Sequence, residues 1–117
     1  MNERLRWGAA AEHSVLPDAI FYRIVALRIE RDPEDGSEPF LDLTVRRGAE
    51  RRLLRFWSPQ DLEIERGGPT DTSGFQISDI SSSGLEGLNV RVWNCEGSLG
   101  AVSFVARRVD DLTKARK

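Results

Sequence analysis

One cysteine, Cys95, one histidine, His13, and two lysines, Lys114 and Lys117, are the whole complement of three reactive residue types in this chain, and each scarcity closes off a class of chemistry. A single thiol excludes an intramolecular disulfide and leaves no cysteine set to hold zinc, which fits a reducing compartment. A single imidazole means that general-base or metal chemistry near neutral pH would fall to His13. That residue stands beside Ser14 in a poorly patterned segment, and adjacency in sequence does not build a triad, which needs a third orienting group; it reads as a surface histidine. Cys95 is followed by Glu96 with no cation beside it to lower its pKa, so it reads as an unreactive turn residue. No stretch approaches the roughly 18 apolar residues of a membrane span, and the first 13 residues carry charges of both signs where a signal peptide would be apolar. The expectation is a soluble, cytoplasmic bacterial protein with no metal, no cofactor, no membrane association and no catalytic residue.

Nor is there a surplus of charge of one sign. Charged residues make up 31% of the chain, yet the formal net charge is -2, so no global field draws in nucleic acid or an acidic membrane. Any anion site must be local. The cations are almost all arginine, the better bidentate partner for carboxylate and phosphate, although a bias spread along the whole chain is also what genomic base composition produces. A length of 117 residues without a linker-like stretch indicates one domain over 1–117, large enough to hide about two-thirds of its unfolded surface.

What the sequence does have is strand pattern. Leu88, Val90 and Val92 alternate with Asn89, Arg91 and Trp93; then NCEGSLG supplies turn residues and AVSFVAR resumes the alternation, which predicts an antiparallel hairpin. Upstream, IFYRIVALRIE from Ile20 to Glu30 is apolar on both faces, with Phe21, Val25, Leu27 and Ile29 on one and Tyr22, Ile24 and Ala26 on the other. That predicts a central strand. FLDLTVR places Leu41, Leu43 and Val45 inward, a turn through Gly48 leads into RRLLRFW, Pro59 interrupts, and LEIE and FQISDI give two further short strands. The sum is an all-β fold: an antiparallel meander of about seven strands forming a small barrel or a two-sheet sandwich, with at most one short helix. Residues 1–19 read as an arm or short helix, and 110–117 as a frayed tail.

Three surface features invite a functional reading. The acidic loop with Asp32, Glu34, Asp35 and Glu38 around Gly36 lacks the ligand spacing of a calcium loop and reads as a solvated turn. Asp79 stands just before the SSSGLEG segment and Glu86 near its end; an enzyme built from carboxylates alone would have to bring such a pair together in a pocket. The strongest feature is Arg46, Arg47, Arg51, Arg52 and Arg55, which a hairpin would gather into one patch, with Trp57 and Trp93 as exposed aromatics. Arg and Trp are enriched in protein-interface hot spots. The same residues could clamp phosphates and stack on bases as single-strand-binding barrels do, but the acidic balance of the chain makes nucleic acid the weaker expectation.

At Ile77-Ser78-Asp79-Ile80, Leu85-Glu86-Gly87-Leu88, Val90-Arg91-Val92-Trp93 and Val102-Ser103-Phe104 the C-terminal half resembles small bacterial all-β proteins of unassigned function, some of which act as immunity proteins that neutralise toxins. The resemblance implies a non-enzymatic protein-binding module, an immunity-like inhibitor of a toxin, and carries over no catalytic residue. A homodimer through an unpaired edge strand is a further expectation.

Overall fold

The computed structural model describes residues 11–64, 75–83, 87–94 and 102–113. Among them the chain forms nine strands: β1 (Ala11–Glu12), β2 (Arg23–Glu30), β3 (Phe40–Arg47), β4 (Glu50–Trp57), β5 (Gln60–Ile64), β6 (Phe75–Asp79), β7 (Val90–Asn94), β8 (Val102–Ala106) and β9 (Arg108–Asp111). Single 3-10 turns occupy Ala19–Phe21 and Ser81–Ser83. The strands make two antiparallel sheets, ordered β2-β3-β4-β9 and β1-β6-β7-β8-β5, with no closed barrel. The choice between barrel and sandwich therefore falls to the sandwich.

Two meanders, β2-β3-β4 and β6-β7-β8, are joined at one corner. There β4 runs through Ser58 and Pro59 into β5, while β8 runs through Arg107 into β9. Trp57 pairs with Arg108 and Gln60 with Val105, so the β4–β5 and β8–β9 stretches form one two-stranded ladder that bends from one sheet into the other. Strands that switch sheets do so at bends and bulges. Ser58 and Asp61 take positive φ of 52° and 57°, and the register of β5 on β8 slips between Gln60 and Glu63. At the other end of β4, the two-residue β3–β4 loop places Gly48 at φ +60, the conformation that hairpin loops of this length demand and that glycine adopts without strain.

The core lies between the sheets. Leu41, Leu43, Val45, Leu54 and Phe56 of one sheet pack opposite Phe75, Ile77, Val90, Val92, Val102 and Phe104 of the other, all of them buried. Phe56 and Phe104 meet edge to face at 5.0 Å. Each such side chain contributes roughly 1.5–3 kcal/mol by leaving water. Leu16 and Ala19, from the segment before β2, are buried in the same cluster. A smaller group, Ile80 and Val105 with Leu88 against them, forms separately.

Three expectations need correction. Apolar on both faces, residues 20–30 predict a central strand, but β2 is an edge strand of its four-stranded sheet among the described residues. Its register shifts between Ile24 and Ala26, so the bulge at Val25 puts Ile24 on the side of Leu27 and Ile29 and leaves Val25 39% exposed. A one-residue slip turns every later side chain to the other face, which the letters alone do not reveal. Next, the tail does not fray from residue 110: Asp110 and Asp111 belong to β9, where they pair with Arg55 and Leu54 of β4, and the Leu112 amide donates to the Leu53 carbonyl at 2.8 Å. Finally, no helix longer than the turn at Ala19 forms in the described part of the 1–19 arm; Ala11 and Glu12 pair with Asp79 and Ser78 as a short strand, and the His13 amide continues the ladder to Ile77. Residues 1–10, residues 65–74, Glu86, Cys95 and residues 114–117 lie outside the described residues.

Candidate binding face

The sheet β2-β3-β4-β9 has one face on the core and the other open. Because β3 and β4 pair in strict register, side chains on the open face line up in rows across the strands. Alternate residues of a strand share a face, so successive rows lie about 7 Å apart. The first row is Arg23, Arg46 and Arg51; the second is Ala26, Thr44 and Leu53; the third is Arg28, Asp42, Arg55 and Asp110; the fourth is Glu30, Phe40, Trp57 and Arg108.

The third and fourth rows are locked together. Arg55 grips Asp42 with both arms of its fork, Nε to Oδ1 at 2.8 Å and Nη2 to Oδ2 at 2.9 Å, and Arg28 stands 3.7 Å from the same carboxylate. The Asp42 side chain is only 8% exposed. A carboxylate so far out of water has to be paired and hydrogen-bonded, and the bond to Asp42, with its carboxylate charge, holds the Arg55 pKa above the usual guanidinium value. The Arg55 guanidinium also lies 3.7 Å from the Phe40 ring centre, and that of Arg108 lies 4.8 Å from Trp57. Phe40 and Trp57 meet edge to face at 5.8 Å, and the indole N–H of Trp57 donates to Asp110 at 2.9 Å. Aromatic and guanidinium groups so interleaved are preorganised, with little rotamer freedom left to lose on binding. Between this stack and the first row, Ala26, Arg28, Asp42, Thr44, Leu53 and Arg55 line a basin of about 370 Å³.

The arginines grouped by sequence therefore separate in space. Arg46, Arg51 and Arg55 share the open face, and Trp57 joins them. Arg52 points to the opposite side of β4, where its Nε and Nη1 reach Glu50 and Asp111, both at 2.8 Å. Arg47 lies over Phe21 and Tyr22, 5.2 and 6.0 Å from their centres. Trp93 belongs to the other sheet, its indole donating to Ser78 Oγ at 2.9 Å with Arg91 over its ring at 4.8 Å. Burial pulls the Arg91 pKa down to about 10. Sequence reasoning missed Arg23, Arg28, Phe40, Asp42 and Arg108 as members of the face. The polar Asp42 inside FLDLTVR was the available signal, since a carboxylate on a strand flanked by apolar residues needs a cation across from it.

The other described candidates have partners within the fold. His13 is half-buried rather than on the open surface, and its Nδ1 accepts the Val15 amide at 3.0 Å; burial lowers its pKa against the opposing pull of Asp79. Asp79 accepts from the Ser81 amide and hydroxyl at 2.9 and 2.6 Å, and these bonds hold its carboxyl below the usual range. In the acidic loop Asp35 accepts the Ser37 amide at 2.9 Å. Glu38 reaches the sheet corner, where Arg107 donates to it twice and Ser58 Oγ once at 2.6 Å. Those bonds, Arg107 foremost, push the Glu38 pKa down to about 2. Among the described residues no three histidine, cysteine, aspartate or glutamate side chains stand close enough to hold a metal ion, and no helix is long and apolar enough to cross a membrane.

Comparison with protein families, with curated proteins and with solved structures gave no match, so the functional reading rests on the geometry of this face.

Proposed function

We propose that this chain is a non-enzymatic protein-binding module that contacts its partner through the open face of the sheet β2-β3-β4-β9. The observation that carries the reading is the Phe40, Arg55, Trp57 and Arg108 stack, pinned from below by Asp42 and from the side by Asp110. Arg and Trp dominate interface hot spots because each offers large area plus directional donors, and fixing them in advance reduces the entropy lost on docking. A toxin is the partner class that the resemblance of the C-terminal half suggests, with this chain as its immunity-like inhibitor. Edge-strand pairing into a homodimer is a separate proposal, and among the described residues β9 offers an edge for it.

The alternative, a single-stranded nucleic acid held by arginines and stacked on Trp57 and Trp93, draws less support. The two indoles sit on different sheets, and guanidinium groups already lie over both rings. Base stacking would have to displace them.

The test is capture of partners by the purified chain, identification of those recovered, and affinity measurement with Trp57→Ala, Arg108→Ala and, on the other sheet, Trp93→Ala. Loss of at least about tenfold with the first two and little change with the third is expected. Equal loss with all three, or none with Trp57→Ala, would remove this face from the function.

A further inference from the structure

Arg23, Arg46 and Arg51 stand directly opposite one another across three adjacent strands. Like charges so placed repel and cost stability. An acid between them would relieve the contact, but the nearest one in the hairpin is engaged elsewhere: Glu50 Oε2 accepts from the Tyr22 hydroxyl at 2.9 Å and from Arg52 Nε at 2.8 Å. Among the described residues, none of the three arginines has a carboxylate within ion-pair distance. The next row inward, Ala26, Thr44 and Leu53, forms the floor of the basin, and its far side is the ion group of Arg28, Asp42 and Arg55. Unneutralised cations thus border an open, partly apolar depression on one side, an ion group already neutralised by Asp42 closes the other, and Thr44 lies between them.

We infer that the row of Arg23, Arg46 and Arg51, at the edge of this basin, is a carboxylate subsite that takes an acidic side chain from an extended segment of the partner, with Arg46 and Arg51 as the principal donors. The inference rests on the protein-binding reading and names the chemistry of the partner. Planar forked guanidinium groups match carboxylate oxygens two at a time. The volume of about 370 Å³ lies near the small end of ligand sites and suits one short acidic segment. A long polyanion fits poorly, since a backbone continuing along the strands would pass Asp110 and Glu30, and the chain as a whole carries a net charge of -2. The subsite is held at the expense of the fold: the row stays unneutralised in the free protein and is satisfied when the partner docks.

The probe is a capped hexaglutamate peptide, titrated into the full chain at low salt and followed by NMR shifts of the arginine side-chain N–H groups. Hexaglutamine and a thymidine dodecamer serve as comparison ligands. Hexaglutamate should perturb Arg46 and Arg51, and its affinity should fall about tenfold in Arg46→Gln/Arg51→Gln and stay within about twofold in Arg31→Gln. Thermal unfolding provides a second readout: at low salt Arg46→Gln should raise Tm by about 1–3 °C, and the gain should vanish at high salt where repulsion is screened. A row with a structural role would give a lower Tm. Hexaglutamate binding unaffected by the double substitution, or tighter binding of the dodecamer that depends on the same arginines, would overturn the inference. Because the titration needs no natural partner, it can fail while capture through Trp57 succeeds, and the reverse.

Discussion

Replacing Arg55 with methionine removes the guanidinium but keeps an unbranched stem over Phe40, so it isolates the charge that Asp42 needs. The Asp42 side chain is 8% exposed and would keep only Arg28, 3.7 Å away and itself 61% exposed. Breaking a fully buried pair by removing one partner costs about 3–5 kcal/mol. The Arg55 side chain is 23% exposed, so water reaches the pair and the expected loss is about 2–3 kcal/mol. In a chain of this size that corresponds to a fall in Tm of roughly 8–15 °C. Asp42→Leu together with Arg55→Met should recover most of the loss, because neither charge is then stranded, and a double-mutant cycle by urea unfolding should give a coupling of at least about 1 kcal/mol. The cost should change little between low and high salt, unlike that of an exposed pair. A loss under about 0.5 kcal/mol for Arg55→Met, the range of surface ion pairs, would show that Asp42 is not desolvated and that the stack is not pinned.

Other outcomes follow from the same structure. Glu38, held at about 2 by Arg107 and Ser58 against an ordinary 4.5, contributes stability that is complete above pH 4.5 and is lost as pH falls toward 2; allowing for exposure this is about 1–2 kcal/mol, and Glu38→Gln should flatten the unfolding free energy against pH in that window. His13, whose folded pKa lies below 6.5, makes the unfolded chain the better proton acceptor, so stability should already start to decline as pH drops below 6.5, and His13→Gln should abolish that earlier limb. Gly48→Ala places a side chain in open space at φ +60, so its cost of about 1–2 kcal/mol by chemical denaturation is purely backbone. Phe56→Ala, which opens the contact between the sheets at Phe104, should cost about 3–5 kcal/mol in the same assay.

Strand identity and the inward positions were legible from the letters, because alternation of apolar and polar residues is a local pattern enforced by the pleat. Leu41, Leu43 and Val45, Phe75 and Ile77, and Val90 and Val92 all point to the core as their spacing indicates. The bulge at Val25, the pairing of β9 with β4, and the corner at Ser58 depend on contacts between distant segments, so composition could not supply them. The binding face shows the same division. Its arginines were visible in sequence, but which of them share a surface was decided by cross-strand register, which turns Arg46, Arg51 and Arg55 outward together and sends Arg52 to the acids on the other side. Sequence alone determined that this chain folds as antiparallel sheets with an arginine-rich hairpin. Tertiary structure alone determined which cations are neutralised and which are left facing solvent, because charge pairing across strands is set by neighbours that the chain brings together only when folded.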